Sequence, residues 1–163
     1  MKKIFLAVIA LITLIACDKK ETVEGANVHI TGNVEGLSQG KLYLQKIEDT
    51  TLVIIDSIQI NGDSKFESHI KLDSPEMLYL ALDRGQTNSI DNSLPFFAEP
   101  GNITIETTLK HFFADAKVKG SKNHDLWIEF KKINDRFNDE NLVLMEKRLQ
   151  NELKPNPTTT DSI

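Results

Sequence analysis

The sequence predicts a mainly β fold, an antiparallel β-sandwich or open barrel of about eight strands followed by a C-terminal α-helical segment. Three observations carry it. From Val28 to Val118, apolar residues alternate with polar ones in short runs separated by turn residues. From Ser121 the apolar spacing changes to steps of three and four. No helical pattern lies between the strands, so the crossover that a parallel sheet needs is missing.

The strands follow in order. Val28, Ile30 and Val34 alternate with polar neighbours, and Gly36-Leu37-Ser38-Gln39-Gly40 reads as a turn. Leu42 and Leu44 then point to one face, with Tyr43 and Ile47 on the other. Leu52 to Ile60 is a longer strand in which Leu52, Ile54, Ile58 and Ile60 share one parity and Asp56 interrupts it. Asn61-Gly62-Asp63 is a hairpin signal, because Asn-Gly tolerates positive φ. Phe66, Ser68, Ile70 and Leu72 alternate on its far side until Ser74-Pro75. Met77 to Leu82 reads as a buried strand around Tyr79, and Arg84 to Ser93 as a polar loop. Phe96-Phe97 leads into Glu99-Pro100-Gly101-Asn102, whose Pro-Gly centre suits a type II turn. Ile103 and Ile105 follow, and Ala116 with Val118 make a last short strand before Gly120.

Beyond it, Leu126, Phe130, Ile133 and Phe137 recur at helical steps beside Trp127, and Met145, Leu149 and Leu153 extend the pattern. Ser121 or Asn123 caps its start, Asn138 to Asn141 is a candidate break into two helices, and Pro155 with Pro157 stops it. The stripe needs a cover. Packing on the sheet is the favoured cover and a second chain the alternative.

The N-terminus reads differently. Lys2 and Lys3 precede an apolar run from Ile4 to Ala16, too short to span a bilayer as a helix and about the length of a secretion signal. The run ends in Leu14-Ile15-Ala16-Cys17, which resembles the lipobox of bacterial lipoproteins. That resemblance implies cleavage between Ala16 and Cys17 and diacylglycerol on the Cys17 thiol, often with acylation of the new amine, which together give a stable membrane attachment. Asp18 to Asn27 then serves as a polar tether. The expected units are a signal (1–16), lipidated cysteine and tether (17–27), β-domain (28–120), helical segment (121–154) and disordered tail (155–163).

Cys17 is the only cysteine of 163 residues, which excludes an internal disulfide, a Cys-x-x-Cys redox pair and a thiolate metal cluster. Without Lys2 and Lys3 the chain carries 17 basic residues against 24 acidic, a net charge of -7 that speaks against nucleic acid as a partner.

The β-region resembles the family called DUF4369, found in lipoproteins of the Bacteroidetes. The resemblance rests on Gly32, Glu35-Gly36-Leu37, Lys41-Leu42-Tyr43-Leu44, Asp56-Ser57, Gly62 with Lys65-Phe66, Tyr79, Phe97, Glu99-Pro100-Gly101-Asn102, Ile103, Ile105, and Gly120-Ser121 with Asn123. It implies a β-fold in the cell envelope, with the outer membrane favoured. In this family the domain often precedes a thioredoxin-like domain with a Trp-Cys-x-x-Cys motif. No cysteine follows Cys17 here, so no thiol chemistry carries over.

Candidate chemistry is sparse. His29, His69, His111 and His124 lack the i, i+4 spacing of a helical zinc site, although two could meet across strands, and solvated surface histidines are expected, with no metal or other cofactor. Asp56-Ser57 has no nucleophile elbow around it, so a bulge or a side chain bonded to nearby backbone is expected. Trp127, Phe130 and Phe137 are candidates for an interaction surface, though their spacing also fits a core stripe. The sequence therefore predicts a non-enzymatic, lipid-anchored interaction module with an envelope protein partner. The alternatives are an accessory of a thiol-disulfide system acting with a separate redox protein, and a carbohydrate- or peptide-binding module.

Overall fold

The computed structural model describes residues 23–85 and 89–153. The expected signal, the Ala16/Cys17 cleavage and lipidation site, the start of the tether, the last residue of the helical segment (154) and the tail (155–163) lie outside the described residues.

Eight strands run in order as β1 (Val28–Glu35), β2 (Gln39–Glu48), β3 (Thr51–Asn61), β4 (Lys65–Ile70), β5 (Glu76–Leu82), β6 (Ser93–Ala98), β7 (Gly101–Thr108) and β8 (Lys117–Lys119). Among the described residues one α-helix, α1 (Lys122–Glu152), follows. The strands form two four-stranded sheets, ordered β4-β1-β7-β8 and β3-β2-β5-β6. The arrangement is sandwich-like and not a closed barrel. All pairings are antiparallel except β1 with β7, which run parallel from Val28↔Gly101 to Glu35↔Thr108. The sequence disfavoured a parallel sheet for want of a helical crossover. Here strands make the crossover: the chain leaves β1, builds β2 and β3 in the other sheet, adds β4 beside β1, and returns through β5 and β6 to β7.

The core follows from alternation. Val28, Ile30 and Val34 of β1, Phe66 and Ile70 of β4, and Ile103 and Ile105 of β7 face Leu42, Leu44, Leu78, Leu80, Leu82, Leu94 and Phe96 of the opposite sheet, all buried. Each such side chain contributes about 1.5–3 kcal/mol of transfer free energy when fully buried. Gly32 is required by this packing. A Cβ there would lie 2.1 Å from the Ile105 carbonyl oxygen and 2.6 Å from the Phe66 ring.

Two local expectations change. The Asn61-Gly62-Asp63 turn does supply the positive φ, 92° at Gly62, but it makes no hairpin. It carries the chain from β3 in one sheet to β4 in the other, because β3 already pairs with β2 and β4 with β1. Within β3, Asp56 pairs with Leu44 and Ile54 with Gln45, which leaves Ile55 as the extra residue of a bulge. The bulge reverses the parity. Ile58 and Ile60 point into the core, whereas Leu52 and Ile54, read as their face-mates, are about half exposed at 53% and 51%. Asp56 accepts hydrogen bonds from the Ser57 N–H at 2.7 Å and from the buried Ser68 hydroxyl of β4, joining the two sheets.

The tether is tied down earlier than its polarity suggests. Asn27 bonds reciprocally with Leu72, donating to its carbonyl at 2.7 Å and accepting its N–H at 2.9 Å. Its own carbonyl accepts the Gly101 N–H at 2.9 Å.

Candidate interaction surface

The C-terminal helix begins at a built joint. Gly120 has φ 95°, and a Cβ there would meet the Asn102 carbonyl oxygen at 2.0 Å, so only glycine fits both the angle and the space. Ser121 caps α1: its hydroxyl accepts the His124 N–H at 3.0 Å, and the residue is buried. Glu99, read from sequence as part of a turn, proves to be the anchor. Its carboxylate accepts the Lys122 N–H at 2.6 Å and the Asn123 side-chain amide. These bonds, the Lys122 N–H first, hold the Glu99 carboxyl below the usual carboxylate range. Behind them Trp127 meets Phe97 edge-on at 6.2 Å and His124 at 5.5 Å, with the Lys131 ammonium 5.0 Å from the indole centre. His124 is buried, its Nδ1 has no hydrogen-bond partner among the described residues, and burial lowers its pKa from the ordinary 6.5 while Asp125 opposes this.

Past this joint α1 leaves the sandwich. Its main strand contacts among the described residues are with β6 and β8, and Lys131 lies over the Phe113 ring, whereas 31 residues of helix extend about 46 Å. Phe130 is 65% exposed and Phe137 61%, and Leu126, Ile133, Leu142, Leu144, Met145, Leu149 and Leu153 are also exposed. The favoured packing of this stripe on the sheet is therefore not what the chain does. The sandwich ends before the helix does, and β6 and β8 offer cover for the first turns only. The expected interruption at Asn138 to Asn141 is absent as well. No glycine or proline lies between 122 and 152, so nothing forces the backbone out of helix. What changes there is phase. Leu126, Phe130, Ile133, Phe137 and Leu144 share one side, and Leu142, Met145, Leu149 and Leu153 share another, about 140° round the axis.

The three aromatic residues singled out from the sequence thus divide. Trp127 is half-buried in the joint, while Phe130 and Phe137 stand exposed on the projecting part. A second apolar area was missed. The outer face of the β3-β2-β5-β6 sheet carries half-buried Tyr43 and Tyr79, with Ile54, Gln45, Tyr79 and Pro95 in one cross-strand row. Exposed Ile47 and Leu52 pair beside it. The four consecutive apolar residues Leu52 to Ile55 were the available signal, since strict alternation cannot bury all of them on one face. Phe97 continues this face to Trp127 at the base of α1.

Among the described residues, no group of three or more His, Cys, Asp or Glu side chains is placed to hold a metal ion. His111 lies 3.4 Å from the Asp115 carboxylate on a turn, while His29 and His69 meet across β1 and β4. No helix among the described residues is long and apolar enough to cross a membrane, which leaves strand-built spans unaddressed.

The fold and the surface define a two-sheet β-sandwich domain with a docked C-terminal helix whose distal part is bare. The chain belongs to the family described as Domain of unknown function (DUF4369), which matches residues 28–127. That match ends at Trp127, so it takes in the joint and stops where α1 departs from the sandwich. No curated protein matches the chain.

Proposed function

We propose that this chain is a non-catalytic interaction module of the cell envelope, lipid-anchored through Cys17, which binds a protein partner along the projecting part of α1. The observation that carries the reading is the exposure of Leu126, Phe130, Ile133 and Phe137 on one side of a helix whose main strand contacts, among the described residues, are with β6 and β8. An apolar stripe of this kind in water is a helix-in-groove or helix-pairing element. The helix carries acidic and basic residues in nearly equal number, six Lys or Arg and seven Asp or Glu, so it lacks the basic polar face that would favour anionic lipid. The anchor reading is supported by the lysine pair, the apolar run and Leu14-Ile15-Ala16-Cys17.

The test is affinity capture from detergent-solubilised envelopes with the full chain and with a Phe130→Glu, Phe137→Glu variant. A specific protein retained by the parent chain and lost by the variant supports the reading. Equal recovery by both, or none by either, rejects it. Labelled palmitate that enters the parent chain and not a Cys17→Ser variant tests the anchor.

A further inference from the structure

His29 and His69 are direct cross-strand partners on β1 and β4, and their Nδ1 atoms lie 2.7 Å apart with the rings edge-on, centroids 4.9 Å. We propose that this pair is a two-point chelating site for a late first-row divalent cation (Zn²⁺, Ni²⁺ or Cu²⁺). The argument is geometric. Both residues point to the outer, polar side of the β4-β1-β7-β8 sheet, because their neighbours Val28, Ile30, Ser68 and Ile70 point inward. Both rings are half-buried, and antiparallel pairing fixes the spacing of their Cα atoms, so little side-chain freedom is lost when an ion binds.

The present contact needs one Nδ1 bearing hydrogen and the other bare. An ion bound to both needs two lone pairs. The hydrogen therefore moves through solvent to Nε2 of the same ring, and each ring then offers Nδ1 and keeps Nε2–H. With a metal–nitrogen bond of about 2.0–2.1 Å, a tetrahedral ion holds two nitrogens about 3.3 Å apart, so the rings must separate by about 0.6 Å. Ring rotation about the side-chain torsions supplies this without disturbing the ladder. Imidazole suits all three ions. No third His, Cys, Asp or Glu joins the pair among the described residues, so water takes the remaining positions and the site is open to a further ligand. Asn102, the register neighbour of His29 on β7, borders the row on the other side.

The full chain is titrated with zinc, nickel or copper chloride, following heat and the imidazole nitrogen signals by NMR. One ion binds per chain, the His29 and His69 signals move together, and those of His111 and His124 stay. His29→Ala and His69→Ala each abolish saturable binding, while His111→Ala leaves it unchanged. The proposal is overturned if no saturable binding occurs, if the first equivalent shifts His111 or His124 instead, or if binding survives both substitutions undiminished. The signals of the parent chain decide the matter even if a variant fails to fold.

Discussion

The sandwich and the distal part of α1 obey different rules although they belong to one chain. In the sandwich every large apolar residue at an inward parity position finds a partner across the core. Beyond Ile128 the large apolar residues are as regularly spaced but stand exposed among the described residues. Periodicity therefore reports which side of an element is apolar, and not whether the same chain covers it. The joint between the two regions consists of a few named groups, Glu99, Gly120, Ser121, His124 and Trp127, so the contrast can be probed residue by residue.

The largest effect is expected in the core. Phe96→Ala should cost about 3–5 kcal/mol in urea unfolding, because a fully buried ring leaves a cavity between the sheets. Gly120→Ala comes next at about 1–3 kcal/mol, since alanine is strained at φ 95° and its Cβ strikes the Asn102 carbonyl. A stability change below 0.5 kcal/mol there would mean that the joint adjusts freely. Ser121→Ala should cost about 1 kcal/mol through loss of the cap, read by circular dichroism as a lower midpoint.

Acid should then loosen the joint in two stages. His124 and Glu99 both have folded pKa values below their ordinary ones, so each contributes stability that is fully present above its unfolded pKa. The His124 contribution begins to fade as pH falls below 6.5, and the Glu99 contribution below 4.5, each being lost as pH passes the folded value. Trp127, the single tryptophan, reports this directly. Its emission should shift red with falling pH, and His124→Phe should abolish the upper stage while leaving the lower. The smallest effect is expected on the projecting part: Phe137→Ala should change unfolding free energy by no more than about 0.5 kcal/mol while weakening partner capture. A loss of several kcal/mol would show that the ring is covered within the chain.

Much of the sandwich was legible because each strand carries its own local signals. Alternation placed Val28 to Val34, Phe66 to Ile70 and Ile103 to Ile105 in strands, and the sequence turns at Gly36–Gly40, Asn61–Asp63 and Glu99–Asn102 fall between observed strands or at their ends. The parity of Leu52 and Ile54 was misread because a bulge is a property of two strands together. Its extra residue, Ile55, is defined only against β2. The Asn-Gly signal was right about dihedral angles and wrong about partners for the same reason. Phe130 and Phe137, named from spacing, stand exposed. The Glu99 anchor and the His29–His69 contact were not legible, since 23 and 40 residues of chain separate the groups concerned.

The sequence alone determined most of the elements: that strands precede a helix, which side of β1, β4 and β7 is apolar, and that Cys17 is the sole thiol. Hydrophobic period, turn chemistry and capping act over a few residues, so they can be read locally. Tertiary structure decided how strands divide between two sheets, that β1 and β7 run parallel, and that α1 docks by its base and leaves the rest of its apolar side bare. Those outcomes depend on which surfaces meet and how far each extends, and a helix about 46 Å long outruns the edge strands β6 and β8 on which it docks.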